Sequence, residues 1–126
     1  SGGSPGIGGN RYYGYEPDLQ ATVRANFAAH GWPVETSNVV LVAGLFADTI
    51  RPVGPVALAH IDGDWYASVK VCLERIDPWM SVGGCFILDD YDHWSGARLA
   101  ADALLVANPG RYRIERRGRV HLVRIA

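Results

Sequence analysis

The chain reads as an α/β protein, the carboxyl-terminal half of a sheet whose parallel strands give way to a closing antiparallel hairpin. Three observations predict this. Two short apolar runs, Val56-Ala57-Leu58-Ala59 and Phe86-Ile87-Leu88, are bounded by Pro or Gly and separated by a helical pattern, as buried parallel strands are. Both runs end in acidic residues, Asp62-Gly63-Asp64 and Asp89-Asp90, where the strand ends of an open α/β sheet face the ligand crevice. Two β-like runs, residues 112–116 and 119–125, then flank Arg117-Gly118, most simply a hairpin.

In order along the chain, residues 1–10 have the Gly/Ser composition of a flexible linker. Their glycines lack the preceding strand that a phosphate-binding loop requires. Residues 1–15 are therefore set apart as linker-like and residues 16–126 as one partial domain. Glu16-Pro17-Asp18 opens a helix with acidic residues in its first turn, Leu19, Val23 and Phe27 form its apolar face, and Gly31-Trp32-Pro33 stops it. Val39-Val40-Leu41-Val42 predicts a strand, ending at a turn through Gly44-Leu45-Phe46, and Pro52 to Pro55 form a loop before the strand at residues 56–61. A helix over residues 65–77 follows from Val69, Cys72, Leu73 and Ile76 at i, i+3, i+4, i+7 spacing, with Pro78 at its end. Gly83-Gly84 turns the chain into a strand at residues 85–88. The next helix begins near Ser95 and stops at Asn108-Pro109-Gly110.

Composition bounds the function classes. With 126 residues, 48% apolar and 20% charged, this is one soluble-type domain, and a net charge of -1 gives no general attraction to nucleic acid or an anionic membrane. No apolar run is long enough to span a bilayer. Cys72 and Cys85 lack CxxC or zinc-ligand spacing, and two buried thiols fit a reducing, cytoplasmic setting. The first residue is Ser rather than Met, so the absence of a leader carries little weight. Six arginines, Arg111, Arg113, Arg116, Arg117, Arg119 and Arg124, crowd the hairpin; they read as a solvated sheet face, with an anionic-ligand or partner surface as the alternative.

The chemistry concentrates in the acidic clusters. Adjacent strands deliver Asp62, Asp64, Asp89 and Asp90 to one spot, where like charges repel and burial adds to the cost. A hard divalent cation with oxygen ligands, typically Mg2+, resolves that conflict. Taken singly, Asp62 or Asp64 can instead cap the helix that follows. His60, two residues before Asp62 and on its face, reads as a packed histidine or one that supports a ligand, with a direct ligand as the alternative. His93 follows the acidic pair and is a candidate for substrate or metal-bound water. Trp65, Tyr66, Tyr91 and Trp94 flank both clusters and can wall a pocket; Trp65 can equally pack below it. Arg98 and Asp102 are spaced as a surface pair, and His30 and His121 carry no signal.

The segments 42–49 (VAGLFADT), 59–68 (AHIDGDWYAS) and 83–98 (GGCFILDDYDHWSGAR) together resemble the macrocin O-methyltransferase family, in one register from about residue 21 to residue 103. The resemblance implies a class I (Rossmann-like) methyltransferase fold, S-adenosylmethionine as methyl donor, Mg2+ as metal, and a small-molecule acceptor, a sugar hydroxyl on a secondary metabolite such as an antibiotic. It implies that Asp62, Asp89 and Asp90 bind the metal and that Asp64 is the general base, a role Asp62 can share. The Gly44-Leu45-Phe46 turn would lie beside the adenine. The family's first strand and Gly-rich turn have no recognisable counterpart in residues 1–15, so the chain looks like a carboxyl-terminal half.

Two rival readings remain. Asp62-Gly63-Asp64 also fits the DxD pattern of metal-dependent glycosyltransferases, which leaves Asp89-Asp90 unexplained. An inactive, truncated domain acting as an interaction module is the other. Without the first strand, residues 56–61 would have an unpaired edge and residues 39–42 no neighbour. The isolated chain is then expected to be marginally stable or to pair with another copy, and to bind S-adenosylmethionine weakly.

Overall fold

The computed structural model describes residues 18–63, 65–89, 91 and 95–126. The chain divides into two units, residues 1–43 and 44–126, which are taken separately.

In the first unit the apolar periodicity produces α1 (Leu19–Ala29). Its N-cap is Asp18, in the left-handed region at φ 59°, whose carbonyl accepts the N–H groups of Ala21 and Thr22; the Asp18 side chain makes no capping bond. Glu16 and Pro17, expected to open this helix, lie outside the described residues, and its first turn carries no acidic residue. Gly31, at φ 85°, ends the helix as expected. No residue of α1 is buried. The strand expected at residues 39–42 does not form: Val40 and Val42 are 82% and 65% exposed. β-branched residues favour extended backbone, but a strand exists only through its ladder, and no described strand pairs with this run.

The second unit contains one four-stranded sheet. In chain order it runs α2 (Phe46–Thr49), β1 (Val56–Ile61), α3 (Tyr66–Ile76), a 3-10 turn (Asp77–Trp79), β2 (Met80–Leu88), α4 (Gly96–Ala107), β3 (Tyr112–Arg117) and β4 (Arg119–Arg124). The spatial order is β1-β2-β4-β3, with β1 and β2 parallel and the other pairs antiparallel. The expected crossover and hairpin are both present. Among the described residues β1 stands at the sheet edge, and Leu58, 58% exposed, lies on the open face that alternates with Ala59 and Ile61. α2 was not anticipated: four residues are too few to show a period.

Gly83-Gly84 is not a turn preceding the strand but lies within it. Val56 pairs with Met80, the register then shifts, and the regular ladder resumes with Leu58 opposite Cys85. Gly83 takes φ 91°, and a Cβ on Gly84 would lie 2.8 Å from the Ala57 carbonyl oxygen. The glycines therefore build a bulge against β1, which sequence alone does not separate from a turn.

One sheet face is buried. Ile61, Phe86, Leu88, Val120 and Leu122 form a single core with Val69, Cys72 and Leu73 of α3 and Ala97, Ala100, Ala101 and Leu104 of α4. The α3 periodicity thus faces the core as expected, and the alanines of α4 let the two helices approach closely. Ser95 caps α4, its hydroxyl accepting the Arg98 N–H at 3.0 Å. At the end of the sheet where β2 begins, buried Asp77 accepts Arg111 Nη1 and the Tyr112 hydroxyl, each at 2.6 Å. Arg124 Nη1 donates to the Met80 carbonyl at 2.7 Å and to that of Asp77 at 3.1 Å. Arg111 and Arg124 are therefore structural ties, a correction to the solvated-face reading of the hairpin arginines.

Candidate active site at the strand ends

The site assembles where β1 and β2 end side by side. The parallel register sets His60 against Ile87 and Ile61 against Leu88, and the Asp89 N–H donates to the Ile61 carbonyl at 3.2 Å, which carries the pairing past both strands. Side chains alternate between faces along a strand. Since Ile61, Leu88 and Val120 face the core, His60 on β1, Asp62 just after it, Asp89 after β2 and Arg119 at the start of β4 share the opposite, open face.

Their contacts confirm the shared face. His60 Nε2 donates to Asp89 Oδ1 at 2.7 Å, and Arg119 Nε donates to the same oxygen at 2.8 Å. The His60 bond, then the Arg119 bond, hold the Asp89 carboxyl down to about 2, from an ordinary value of 3.8. The Ile61–Leu88 pairing sets Asp62 and Asp89 at the next opposed positions of the two parallel strands, so the two carboxyls leave the sheet side by side. Neighbouring carboxylates repel, and a cation between them relieves that cost. His60 is thus neither packed nor idle: it is exposed and tied to Asp89.

The remaining expected residues divide clearly. Asp64, Asp90, His93 and Trp94 lie outside the described residues. Among the described residues no group of three or more His, Cys, Asp or Glu gathers as a metal cluster; Asp62 and Asp89 are two of the expected three ligands. Asp62 does not cap α3, whose N-cap is Trp65. Trp65 is 76% exposed, which excludes core packing. Phe46 lies beside the acidic turn, since a Cβ on Gly63 would sit 3.9 Å from its Cε2 atom. Gly44, at φ 143°, has no room for a side chain, because a Cβ there would meet Thr49 Cγ2 at 2.7 Å. The glycine thus fixes the turn that leads into Phe46.

Tyr91, after the acidic pair, has two guanidinium groups against its ring, with Arg98 and Arg116 Cζ each 5.6 Å from the ring centroid. Its hydroxyl approaches Asp102 Oδ1 at 3.4 Å, and Arg98 pairs with Asp102 at 3.7 Å as the spacing predicted. Arg119 is the residue on this face that the sequence pattern does not single out. It sits 30 positions from Asp89, and only the hairpin register brings it opposite. Both cysteines are free, Cys72 buried and Cys85 half-buried, and no helix among the described residues is long and apolar enough to cross a membrane.

Comparison with known proteins bears on this arrangement. Residues 18–108 match the model of the family described as Macrocin-O-methyltransferase (TylF). The chain is 41% identical over 71 residues to the 8-demethyl-8-(2,3-dimethoxy-alpha-L-rhamnosyl)-tetracenomycin-C 4'-O-methyltransferase of Streptomyces olivaceus, covering 55% of this chain and 26% of that protein. It is 35% identical over 77 residues to the mycinamicin III 3''-O-methyltransferase of Micromonospora griseorubida, covering 60% of this chain and 30% of that protein. Among solved structures, the O-methyltransferase NovP superposes with a TM-score of 0.74 at 28% identity, over 85% of this chain and 45% of NovP. CalS11, a TDP-rhamnose 3'-O-methyltransferase of calicheamicin biosynthesis, superposes with a TM-score of 0.64 at 25% identity, over 87% of this chain and 51% of CalS11. The chain spans between a quarter and a third of the length of the curated relatives it matches.

Proposed function

The chain belongs to the macrocin O-methyltransferase family, and on that premise we propose that it carries the hydroxyl-activating part of a metal-assisted, S-adenosylmethionine-dependent O-methyltransferase. The acceptor is a sugar hydroxyl on a secondary metabolite, the class of substrate named for several of its relatives. Membership of the family sets aside the glycosyltransferase reading of Asp62-Gly63-Asp64.

The observation that carries the proposal is the placement of Asp62 and Asp89 side by side, each one position past the Ile61–Leu88 pair of two parallel strands. Two oxygen-donor carboxylates on one face suit a hard divalent cation. Asp90, next in sequence, is the proposed third ligand. Held by these carboxylates, a Mg2+ ion would lower the pKa of an acceptor hydroxyl. Asp64 takes the proton from that hydroxyl, a step Asp62 can share; a carboxylate is a competent base once the hydroxyl is acidified. Gly44, Leu45 and Phe46 serve the methyl-donor side, where Phe46 offers a partly exposed ring beside the acidic turn. Trp65 offers a second exposed aromatic face near the strand ends for a sugar ring.

The test is a methyl-transfer assay on the polypeptide that contains this chain, with S-adenosylmethionine, Mg2+ and glycosylated acceptors, read by mass spectrometry. One added methyl group, lost on chelation of the metal and in Asp62→Asn, is the expected result. Transfer that survives both treatments would refute the metal-assisted reading. An absence of transfer to every acceptor, with no binding of S-adenosylmethionine, would favour the inactive-domain reading.

A further inference from the structure

We propose that Arg119, delivered by the carboxyl-terminal hairpin, is a positioning residue that fixes the orientation of the Asp89 carboxylate for the cation. The inference rests on the metal reading given above and adds a residue that lies outside the family match, which ends at residue 108.

The geometry is specific. In the antiparallel ladder Leu88 pairs with Val120, so Asp89 and Arg119 occupy the next opposed positions, on the open face. Gly118, at φ 77°, makes the tight reversal that places Arg119 there, opposite Arg117. The row across the sheet therefore runs Asp62, Asp89, Arg119, Arg117. Arg117 Nη2 is turned aside to Glu115 Oε1 at 2.6 Å, whereas Arg119 Nε reaches Asp89.

Both donors to Asp89, His60 from one neighbouring strand and Arg119 from the other, fall on Oδ1 at 2.7 and 2.8 Å. The terminal torsion of an aspartate is otherwise broad. Two donors on one oxygen fix the plane of the carboxylate and leave Oδ2 for a cation shared with Asp62. Partners of this kind orient metal ligands and typically contribute about 10- to 100-fold to metal affinity. The guanidinium also repels a cation, so the two possible roles of Arg119 have opposite signs. Positioning predicts that its loss weakens binding, and a purely electrostatic role predicts that its loss tightens it.

The experiment titrates the polypeptide that contains this chain with Mn2+ by calorimetry, comparing wild type with Asp62→Asn, Arg119→Met and Arg119→Lys. Each variant's urea midpoint is measured without metal. Wild type should bind, Asp62→Asn should not, Arg119→Met should bind about 10-fold more weakly, and Arg119→Lys should recover part of the loss. The metal-free midpoint of Arg119→Met should match wild type, because this side chain is 59% exposed. Unchanged or tighter binding by Arg119→Met overturns the inference while the metal reading stands. A parallel fall in affinity and metal-free stability also overturns it, marking Arg119 as a fold residue. If wild type binds no Mn2+, like Asp62→Asn, the metal reading itself has failed and this inference falls with it.

Discussion

Replacing Asp77 by Ala should destabilise the domain by about 3 kcal/mol, and the contacts of Asp77 show where that cost arises. Asp77 Oδ1 accepts the Tyr112 hydroxyl and Oδ2 accepts Arg111, each at 2.6 Å. Tyr112 is buried, and burial together with the Asp77 bond pushes its phenol well above the ordinary range, so it remains a donor. Leaving that hydroxyl without a partner costs about 2 kcal/mol. Arg111 is a third exposed, water replaces its partner, and losing the pair costs about 1 kcal/mol. Asp77→Asn keeps an acceptor for Tyr112 and should lose only about 1 kcal/mol. Equilibrium urea unfolding, followed by the fluorescence of nearby Trp79, measures these differences, provided the m-value is unchanged. In the Asp77→Ala background, Tyr112→Phe removes the stranded hydroxyl and should restore stability, although alone it should be mildly destabilising. The restoration is the sharper test, because it reports the coupling between Asp77 and Tyr112 directly rather than the cost of either truncation alone. If Tyr112→Phe further destabilises Asp77→Ala, the account of a stranded donor is wrong.

The bulge glycines should separate by mechanism. Gly84→Ala drives a Cβ to 2.8 Å from both the Ala57 carbonyl oxygen and Met80 Sδ, and overpacking of this kind costs about 1–3 kcal/mol in unfolding experiments. Gly83→Ala meets no atom within 4 Å but must hold φ 91°, so it should lose about 1–2 kcal/mol through backbone strain alone, an amount Gly83→Asn partly recovers. The Arg113 hydrogen bond, with Arg113 and Arg117 as neighbouring charges, holds the Glu115 carboxyl below its ordinary 4.5. Its contribution to stability is therefore complete above that value and lost as pH falls through the lower folded value, and Glu115→Gln should flatten the acid limb of the stability profile below pH 4.5. In the intact enzyme, Asp64→Asn should remove most turnover and leave Mn2+ affinity largely intact, since a base acts in the transition state and a ligand also in the ground state. Parallel loss of both would make Asp64 a ligand.

Features that depend on a local period were legible in the sequence. The α3 face of Val69, Cys72 and Leu73, the Ser95 start of α4 and the hairpin about Gly118 all appear where the pattern placed them. Features that depend on what lies across the sheet were not. Residues 39–42 have strand composition and no ladder, and Gly83-Gly84 has turn composition inside a strand. The acidic site was readable in part for the same reason. Asp62 and Asp89 each end an apolar run and so announce themselves, whereas Arg119 is one arginine among six in the hairpin. Nothing local separates it from Arg117, two positions away, until the register sets one opposite Asp89 and the other on the far strand.

That register gives β4 a double role. Arg124 at its end ties the beginning of β2 through the Met80 carbonyl, and Arg119 at its start reaches the residue that follows β2 through Asp89. The two arginines are five residues apart, about 17 Å along an extended strand, which matches the pairing of residues 85–88 with the strand between them. The two ends differ in what they hold. Arg124 grips main-chain oxygens, which any sequence in β2 would offer, together with the carbonyl of buried Asp77. Arg119 grips a side chain that is present only because the strand ends in an acid. One end therefore secures the fold, and the other holds the carboxylate proposed as a metal ligand. A hairpin that lies beyond the family match is thus part of the proposed catalytic apparatus rather than a cap on the sheet.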